Sequence, residues 1–406
     1  MINFVIFGAS GDLAKNYLFP ALINLKKSGH KFNYFGYGRS PLISSASNLN
    51  LHYIQGGYDL PGLSQLKPLL TSDTIFYFAL PTELNLIKTI VSALRSFNLI
   101  SSSTRLVIEK PFGSDYTSAK ALMDYFESNN LTDSVFLVDH FLTKNLVKNI
   151  ISLRFANPIF SYLWHKQFIK EINLTAVETK GIDARGSYYD QTGAIRDMVQ
   201  NHLLQLLTLV TMNAPASFNH ADFVTQKLAV LQAIKIVPSS VKLGQYQSYT
   251  QELGVDPKSL TETFAKLKLK INLPEWRGIP INIITAKKLD QNITEINIVF
   301  NPLDKSIWGD DRRLLVPNQL TITLKPKNDI VLTINSSFNP HKVLPQPLTL
   351  SLGSLDISSS AYENVILDVL DNVKLNTPSF AEILLQWQIV DQILNLPRLR
   401  QHLFYY

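Results

Sequence analysis

The chain has 406 residues, 46% hydrophobic and 17% charged, enough apolar material for two domains with real cores and too much for a disordered polymer. Its net charge of +6 is spread thinly and not gathered into runs, so no basic stripe interleaved with aromatics marks a nucleic-acid surface; a modest positive field suits small anions. Cysteine is absent, which excludes disulfides, thiolate metal sites and a cysteine nucleophile and fits a reducing compartment. No stretch approaches eighteen apolar residues and the apolar start lacks a positive leader, so a cytoplasmic protein without a membrane span is expected. No histidine–carboxylate cluster has ligand spacing, and no metal is expected.

In chain order, residues 3–7 form a short run rich in Val, Ile and Phe that reads as a buried strand. A helical pattern follows from about 11 to 27, closed by Gly29, with Pro20 inside it expected to kink or break the helix. Residues 32–38, 74–80 and 105–109 read as further strands, and 83–97 and 118–128 as helices between them. Strand alternating with helix predicts a doubly wound parallel sheet with helices on both faces. The pattern then changes. Residues 139–154 look helical, 171–178 alternate like a strand, and 194–212 form a long helical pattern. After Pro280, the runs 281–284, 294–300, 319–324, 330–335 and 348–352 follow one another at meander spacing, which predicts a mainly antiparallel sheet. Two helical patterns, 361–370 and 380–394, come last. The expected fold is α/β followed by α+β, with domains 1–140 and 141–406. No internal repeat is visible.

Two groups of residues carry chemistry. The turn Gly8-Ala-Ser-Gly-Asp-Leu-Ala-Lys15 follows the first strand and opens a helix. Glycines there let phosphate approach the backbone, and the helix N-terminus adds partial positive charge. The second strand ends in Gly38-Arg39-Ser40, where an NAD site usually has an acid; a cation and a hydroxyl suit a 2′-phosphate, so NADP is favoured. Glu109-Lys-Pro-Phe-Gly113 closes a later strand; its X-Pro bond is a candidate for the cis form, and Lys110 falls at the carboxyl edge of the sheet. The second group pairs His202 with Asp139, sixty-three positions earlier. An imidazole held by a carboxylate is the usual side-chain base near neutral pH, and a hydroxyl cannot surrender hydride until its proton has an acceptor. Asp139 also reads as an N-cap for the helix after it, and His140 and Lys144, spaced i, i+4 on that helix, could face one anion.

Together these words resemble the glucose-6-phosphate dehydrogenase family. Gly8 to Lys15, Glu109 to Gly113, Asp139-His-Phe-Leu-Thr-Lys144, Tyr188-Tyr-Asp to Gln205, Trp276-Arg-Gly-Ile-Pro280 and Ala286-Lys-Lys-Leu289 occur in the family's order, with weaker similarity to the end. The resemblance implies a Rossmann-like domain followed by an antiparallel-sheet domain and an NADP-dependent oxidation of β-D-glucose 6-phosphate at C1 to the 1,5-lactone, the first step of the oxidative pentose phosphate pathway. It implies His202 as base and Asp139 as its orienting carboxylate. For the cofactor it points to Gly8, Ser10, Gly11, Asp12, Leu13, Arg39, Ser40 and Lys110. For the sugar phosphate it points to Lys110, His140, Lys144, Glu178, Asp197 and Lys287. It implies a homodimer or homotetramer.

Departures concentrate around the phosphate. Tyr17, Phe141, Thr143, Asn145, Ala286 and Asn292 each replace a residue usual in the family, Pro81-Thr82 replaces a Pro-Pro, and the stretch between Ser40 and Leu51 is short. A hydrogen bond to a charged group contributes roughly 1.5–3 kcal/mol, so these changes bear on phosphate affinity more than on hydride chemistry. Lys15, Lys148 and Lys288 are candidate substitutes. The alternatives are a dehydrogenase for another sugar phosphate or free glucose, and a catalytically weak regulatory paralogue.

Overall fold

The computed structural model describes every residue except 1, 43–46, 71–72, 81–82, 140, 304–314, 338–345, 352–359 and 398. The chain divides into two compact units: Met1–Lys144 with Phe218–Val224 and Ser358–Leu384, and Asn145–Ser217 with Thr225–Ile357 and Leu385–Tyr406.

The first unit is built on a parallel sheet of β1 (Ile2–Phe7), β2 (Phe32–Gly38), β3 (His52–Gln55), β4 (Thr74–Phe78), β5 (Arg105–Glu109) and β6 (Val135–Val138), in the order β3-β2-β1-β4-β5-β6. β4 is buried along its whole length, as parallel strands covered on both faces are. The helices between strands are α1 (Phe19–Lys27), the short α2 (Leu60–Leu63), α3 (Leu84–Ser96) and α4 (Tyr116–Ser128). The order reverses between β1 and β4, and the turn at Gly8 leaves the sheet there, where open sheets of this kind take ligands. Pro20 does not break its helix. A wide π-helical stretch, Ala14–Leu18, runs directly into α1, and the Phe19 amide reaches back five residues to the Ala14 carbonyl; this widened turn lies just ahead of the proline ring, which has no N–H to give.

The second unit holds a large sheet. Its strands are β7 (Ile169–Val177), β8 (Ile234–Ile236), β9 (Lys242–Gln245), β10 (Phe264–Ile271), β11 (Ile281–Ala286), β12 (Ile293–Phe300), β13 (Gln319–Lys325), β14 (Asp329–Ser336), β15 (Gln346–Ser351) and β16 (Phe404–Tyr405). They run β15-β14-β13-β12-β7-β11-β10-β9-β16, with β8 also pairing β10. Pairing is antiparallel except at β7–β11 and β9–β16. β10 alternates buried and exposed residues through Ala265-Lys-Leu-Lys-Leu-Lys270, a period-two signal absent from the expected strands. Also outside the expected elements are β3, β6, β8, β9 and β16 and the helices Leu60–Leu63, Pro158–Leu163, Gly186–Ala194 and His220–Ala233.

The remaining helices are α5 (Asn145–Phe155), α6 (Pro158–Leu163), α7 (Gly186–Ala194), α8 (Leu204–Thr211), α9 (His220–Ala233), α10 (Ala361–Leu370) and α11 (Phe380–Leu394). α10 packs into the first unit's core: Tyr362, Val365, Ile366 and Val369 join Phe4, Leu18, Leu22 and Tyr77. Two expectations are corrected. The helix expected over 139–154 begins only at Asn145; ahead of it the Asp139 carboxylate accepts the Phe141 amide (3.0 Å) and the Asp139 carbonyl the Leu142 amide (3.0 Å), closing a turn. The helix expected over 194–212 is π-helical from Ile195 to Leu203 and becomes α8 only after His202. No described helix is long and apolar enough to cross a membrane.

Candidate active site

In the first unit, Gly8 has φ +82°, and a Cβ there would lie 2.3 Å from the Ala79 carbonyl oxygen. Only glycine fits. Its amide and that of Ala9 donate to the Tyr37 carbonyl at 2.8 and 3.2 Å, and the Gly11 amide returns to the Gly8 carbonyl at 2.9 Å. The turn therefore leaves Gly11 and Asp12 exposed at a helix start, with Ser10 and Leu13 half-buried beside them. Ser10 Oγ lies 3.1 Å from where a Cβ on Gly38 would stand, so this turn and the Gly38-Arg39-Ser40 end of β2 meet at one sheet edge. Arg39 is exposed, with its guanidinium 5.9 Å from the Tyr58 ring centroid; burial pushes the Tyr58 phenol up to about 12. Tyr58 was not signalled by any motif. A crowded backbone turn, an exposed helix start and a cation at the next strand end fit a dinucleotide's phosphates.

Further along the same sheet, Lys110 follows β5 through a cis bond to Pro111. Glu109 is buried and accepts the Tyr77 hydroxyl. Burial pushes its carboxyl up to about 7 against the opposing pull of Tyr77 and Lys110, and the nearby charge of Asp139 adds to the rise. Asp139 is itself 3% exposed. The turn it closes replaces the expected helix cap, and with the turn goes the helical i, i+4 premise for His140 and Lys144. His140 lies outside the described residues; Lys144 sets its ammonium 4.2 Å from the Phe141 ring centroid. Thr143 donates to the Ala361 carbonyl (3.0 Å), and Asn364 donates to the Thr143 carbonyl (2.9 Å), tying this turn to α10.

In the second unit three of the expected sugar residues come together. Lys287, 5% exposed at the end of β11, places Nζ 2.6 Å from Glu178 Oε2 and 3.8 Å from Asp197 Oδ2. Lys325, unmarked by any motif, adds a second cation 3.3 Å from Glu178 Oε1. Burial alone would raise the Glu178 carboxyl; the ammonium groups of Lys287 and Lys325 override it and hold the group at about 2. Tyr406 donates to the Lys287 carbonyl at 2.7 Å, a long-range contact no local pattern announces. His202 is 2% exposed and stands five residues after Asp197 on the π-helical stretch. In an α-helix that spacing separates two side chains by about 140°. A turn whose hydrogen bonds span five residues brings them towards one face. Asp139 belongs to the first unit and His202 to the second.

Several departures have local explanations. Tyr17 sets its ring 5.3 Å from that of Tyr362. Ala286 is buried at the end of β11, paired with Phe264 and Val177. Lys288 is engaged by Ser248 (2.8 Å) and Glu252 (3.5 Å). Pro81 and Thr82 lie outside the described residues.

Comparison with known proteins extends over the whole chain. A family model described as the glucose-6-phosphate dehydrogenase NAD binding domain matches residues 5–53 and 50–149, and one described as its C-terminal domain matches 151–406. The glucose-6-phosphate 1-dehydrogenase of Streptococcus pneumoniae is 33% identical over 96% of this chain and 88% of its own. A glucose-6-phosphate dehydrogenase solved with its substrate superposes with a TM-score of 0.90 at 30% identity, covering 100% of this chain and 94% of that one. The glucose-6-phosphate 1-dehydrogenase of Mycobacterium avium gives 0.89 at 28% identity, covering 100% and 93%. The chain therefore belongs to the glucose-6-phosphate dehydrogenase family and is an oxidoreductase of that class.

Proposed function

We propose that this enzyme's oxidation of β-D-glucose 6-phosphate at C1 to the 6-phosphoglucono-1,5-lactone runs with His202 as general base and Asp139 as the carboxylate that fixes its tautomer. The observation that carries the reading is the ion cluster on the second unit: Asp197 belongs both to the Glu178–Lys287 group and, five residues before His202, to the same helical stretch. Ring hydroxyls bound by Glu178 and Asp197 would thus be held on the element that carries the base. Lys287, Lys144 and His140 supply positive charge for the sugar's phosphate, and Lys110 serves both ligands. Binding energy from the remote phosphate orients C1, the ordinary use of a non-reacting part of a substrate. The nicotinamide ring, when bound, accepts the hydride.

The cofactor is a nicotinamide dinucleotide, and NADP is the form the sequence favours. Arg39 and Ser40 stand where an acid would serve NAD, and the Tyr58 ring lies beside the guanidinium. A cytoplasmic homodimer or homotetramer completes the reading, with the division near residue 140 separating nucleotide and sugar roles; the exposed outer strand β15 offers surface for a second copy. His202→Asn, purified and shown folded by circular dichroism, should turn over glucose 6-phosphate about 10²–10⁴-fold more slowly. Near-parental turnover would remove His202 from this role. A kcat/KM ratio near one between glucose and glucose 6-phosphate would favour a pocket that accepts free glucose instead.

A further inference from the structure

The helical stretch that carries His202 is gripped at both ends by buried charged side chains. At its start, Gly193 takes φ 72°, and the Ala194 amide donates to the Glu262 carbonyl at 2.9 Å. The Ile195 amide donates to Glu262 Oε1 at 3.2 Å. Glu262 is fully buried, and a Cβ on Gly193 would lie 2.5 Å from that same oxygen. At the far end, Arg154, 4% exposed, donates to the Leu209 carbonyl (2.6 Å) and the Met212 carbonyl (2.7 Å). Trp164 donates to the Val210 carbonyl (2.7 Å) and Trp276 to the Thr211 carbonyl (2.6 Å). Four successive carbonyls that a helix end normally leaves to water are thus taken by three side chains. The groups match the helix dipole, with a carboxyl group at the amino end and a guanidinium at the carboxyl end.

Such a grip has a purpose when the element between has more than one arrangement. Ile195–Leu203 is π-helical, a geometry that is much rarer than the α-helix and is frequent at functional sites. Relaxation by one residue would turn a side chain by about 100°. It would move His202 away from the face it shares with Asp197. We infer that Glu262 and Arg154, with Trp276, are positioning residues that hold the helix register and thereby aim His202; the inference rests on His202 being the base. All three act on backbone groups of the helix and not on the reacting atoms.

The test uses the full chain and glucose 6-phosphate carrying hydrogen or deuterium at C1. Glu262→Gln keeps an oxygen for the Ile195 amide and replaces the carboxyl by an amide; Trp276→Phe keeps an aromatic ring and removes one donor. Arg154→Lys keeps the cation but loses the two-pronged fork. Rates are normalised to folded enzyme by nicotinamide-dinucleotide binding. Glu262→Gln should lower kcat ten- to hundredfold and Trp276→Phe three- to tenfold. Both should leave KM for the sugar phosphate within threefold and raise the deuterium isotope effect on kcat. A merely structural role lowers the melting temperature and the yield of folded enzyme, but moves neither kcat per folded site nor the isotope effect. Parental kcat and isotope effect in both Glu262→Gln and Trp276→Phe overturn the inference, even if Arg154→Lys does not fold. His202→Asn separates the two levels. If it is slow while the other variants are not, only the positioning role falls; if it is itself near-parental, the base and the positioning role fall together.

Discussion

Glu109 and Glu178 both stand at the end of a sheet strand, one in each unit, and their surroundings drive them in opposite directions. Glu109 at the end of β5 is buried with a phenol as donor and Asp139 nearby, and burial carries its carboxyl up to about 7. Glu178 after β7 is desolvated too, but two lysines outweigh burial and hold it at about 2. The residue type and its place on a strand are the same; the cations that distant strands bring within reach are not. A carboxylate proposed to accept sugar hydroxyls needs its charge kept, and the second unit provides that. The first unit keeps near neutrality a group whose ionisation would add a second negative charge near Asp139.

The largest test of this contrast removes the cation. Lys287→Met leaves Glu178 and Asp197 facing each other with only Lys325 to compensate, and should cost about 3 kcal/mol in denaturant unfolding. A change under half that size would mean Lys325 alone maintains the Glu178 charge. Glu109→Gln tests the other side. Its folded carboxyl titrates above the ordinary 4.5, so its stabilising contribution is complete below that value and is lost as pH rises towards about 7. The amide variant should lose that slope and gain on the order of 3 kcal/mol over the parent at pH 8. Identical stability curves for the two proteins above pH 5 would show that Glu109 is ionised throughout.

Arg39→Ala addresses a cation that is exposed where Lys287 is buried. Loss of a charge-assisted hydrogen bond of about 1.5–3 kcal/mol should raise KM for NADP at least tenfold and leave KM for NAD little changed. Equal changes in both would return the cofactor choice to other residues. Acid unfolding reads the Glu178 charge directly: a depressed carboxyl contributes stability that is present above 4.5 and lost as pH falls towards about 2. Lys325→Met should move that loss to higher pH. The smallest effect expected is that of Tyr406→Phe. Removing one hydrogen bond to the Lys287 carbonyl should cost about 0.5–1.5 kcal/mol and raise KM for the sugar phosphate a few-fold. No change in KM would show that the Lys287 side chain is held without it.

Much of the architecture was legible locally. The strands β2 and β5 and the helices α10 and α11 begin and end where their apolar periodicity does, because one buried face imposes one period. β10, which lies outside the expected strands, carries an equally local signal, a strict alternation of lysine with apolar residues. The turn after β6 could not be separated from the helix that follows it. Apolar residues at Phe141, Leu142, Leu146 and Val147 mimic one continuous helical stripe, while the Asp139 carboxylate draws the chain into a turn instead. The glycine turn and Arg39 are legible by type and spacing, whereas Glu178, Asp197 and Lys287 are marked only by the family resemblance; Tyr58, Lys325 and Tyr406 carry no local mark, since each matters only through a partner far away in the chain.

Local order alone determined that a parallel sheet precedes a mainly antiparallel one, that a glycine turn opens the first helix, and which residue types were available for acid–base work. These follow from the alternation of apolar and polar residues and from conformations only glycine adopts. The tertiary structure decided the register of the helix bearing His202, the opposite fates of Glu109 and Glu178, and the docking of α10 among residues of the first strands. Each of these is set by apolar side chains, charges or carbonyls brought together from separate stretches, and no window along the chain contains both partners.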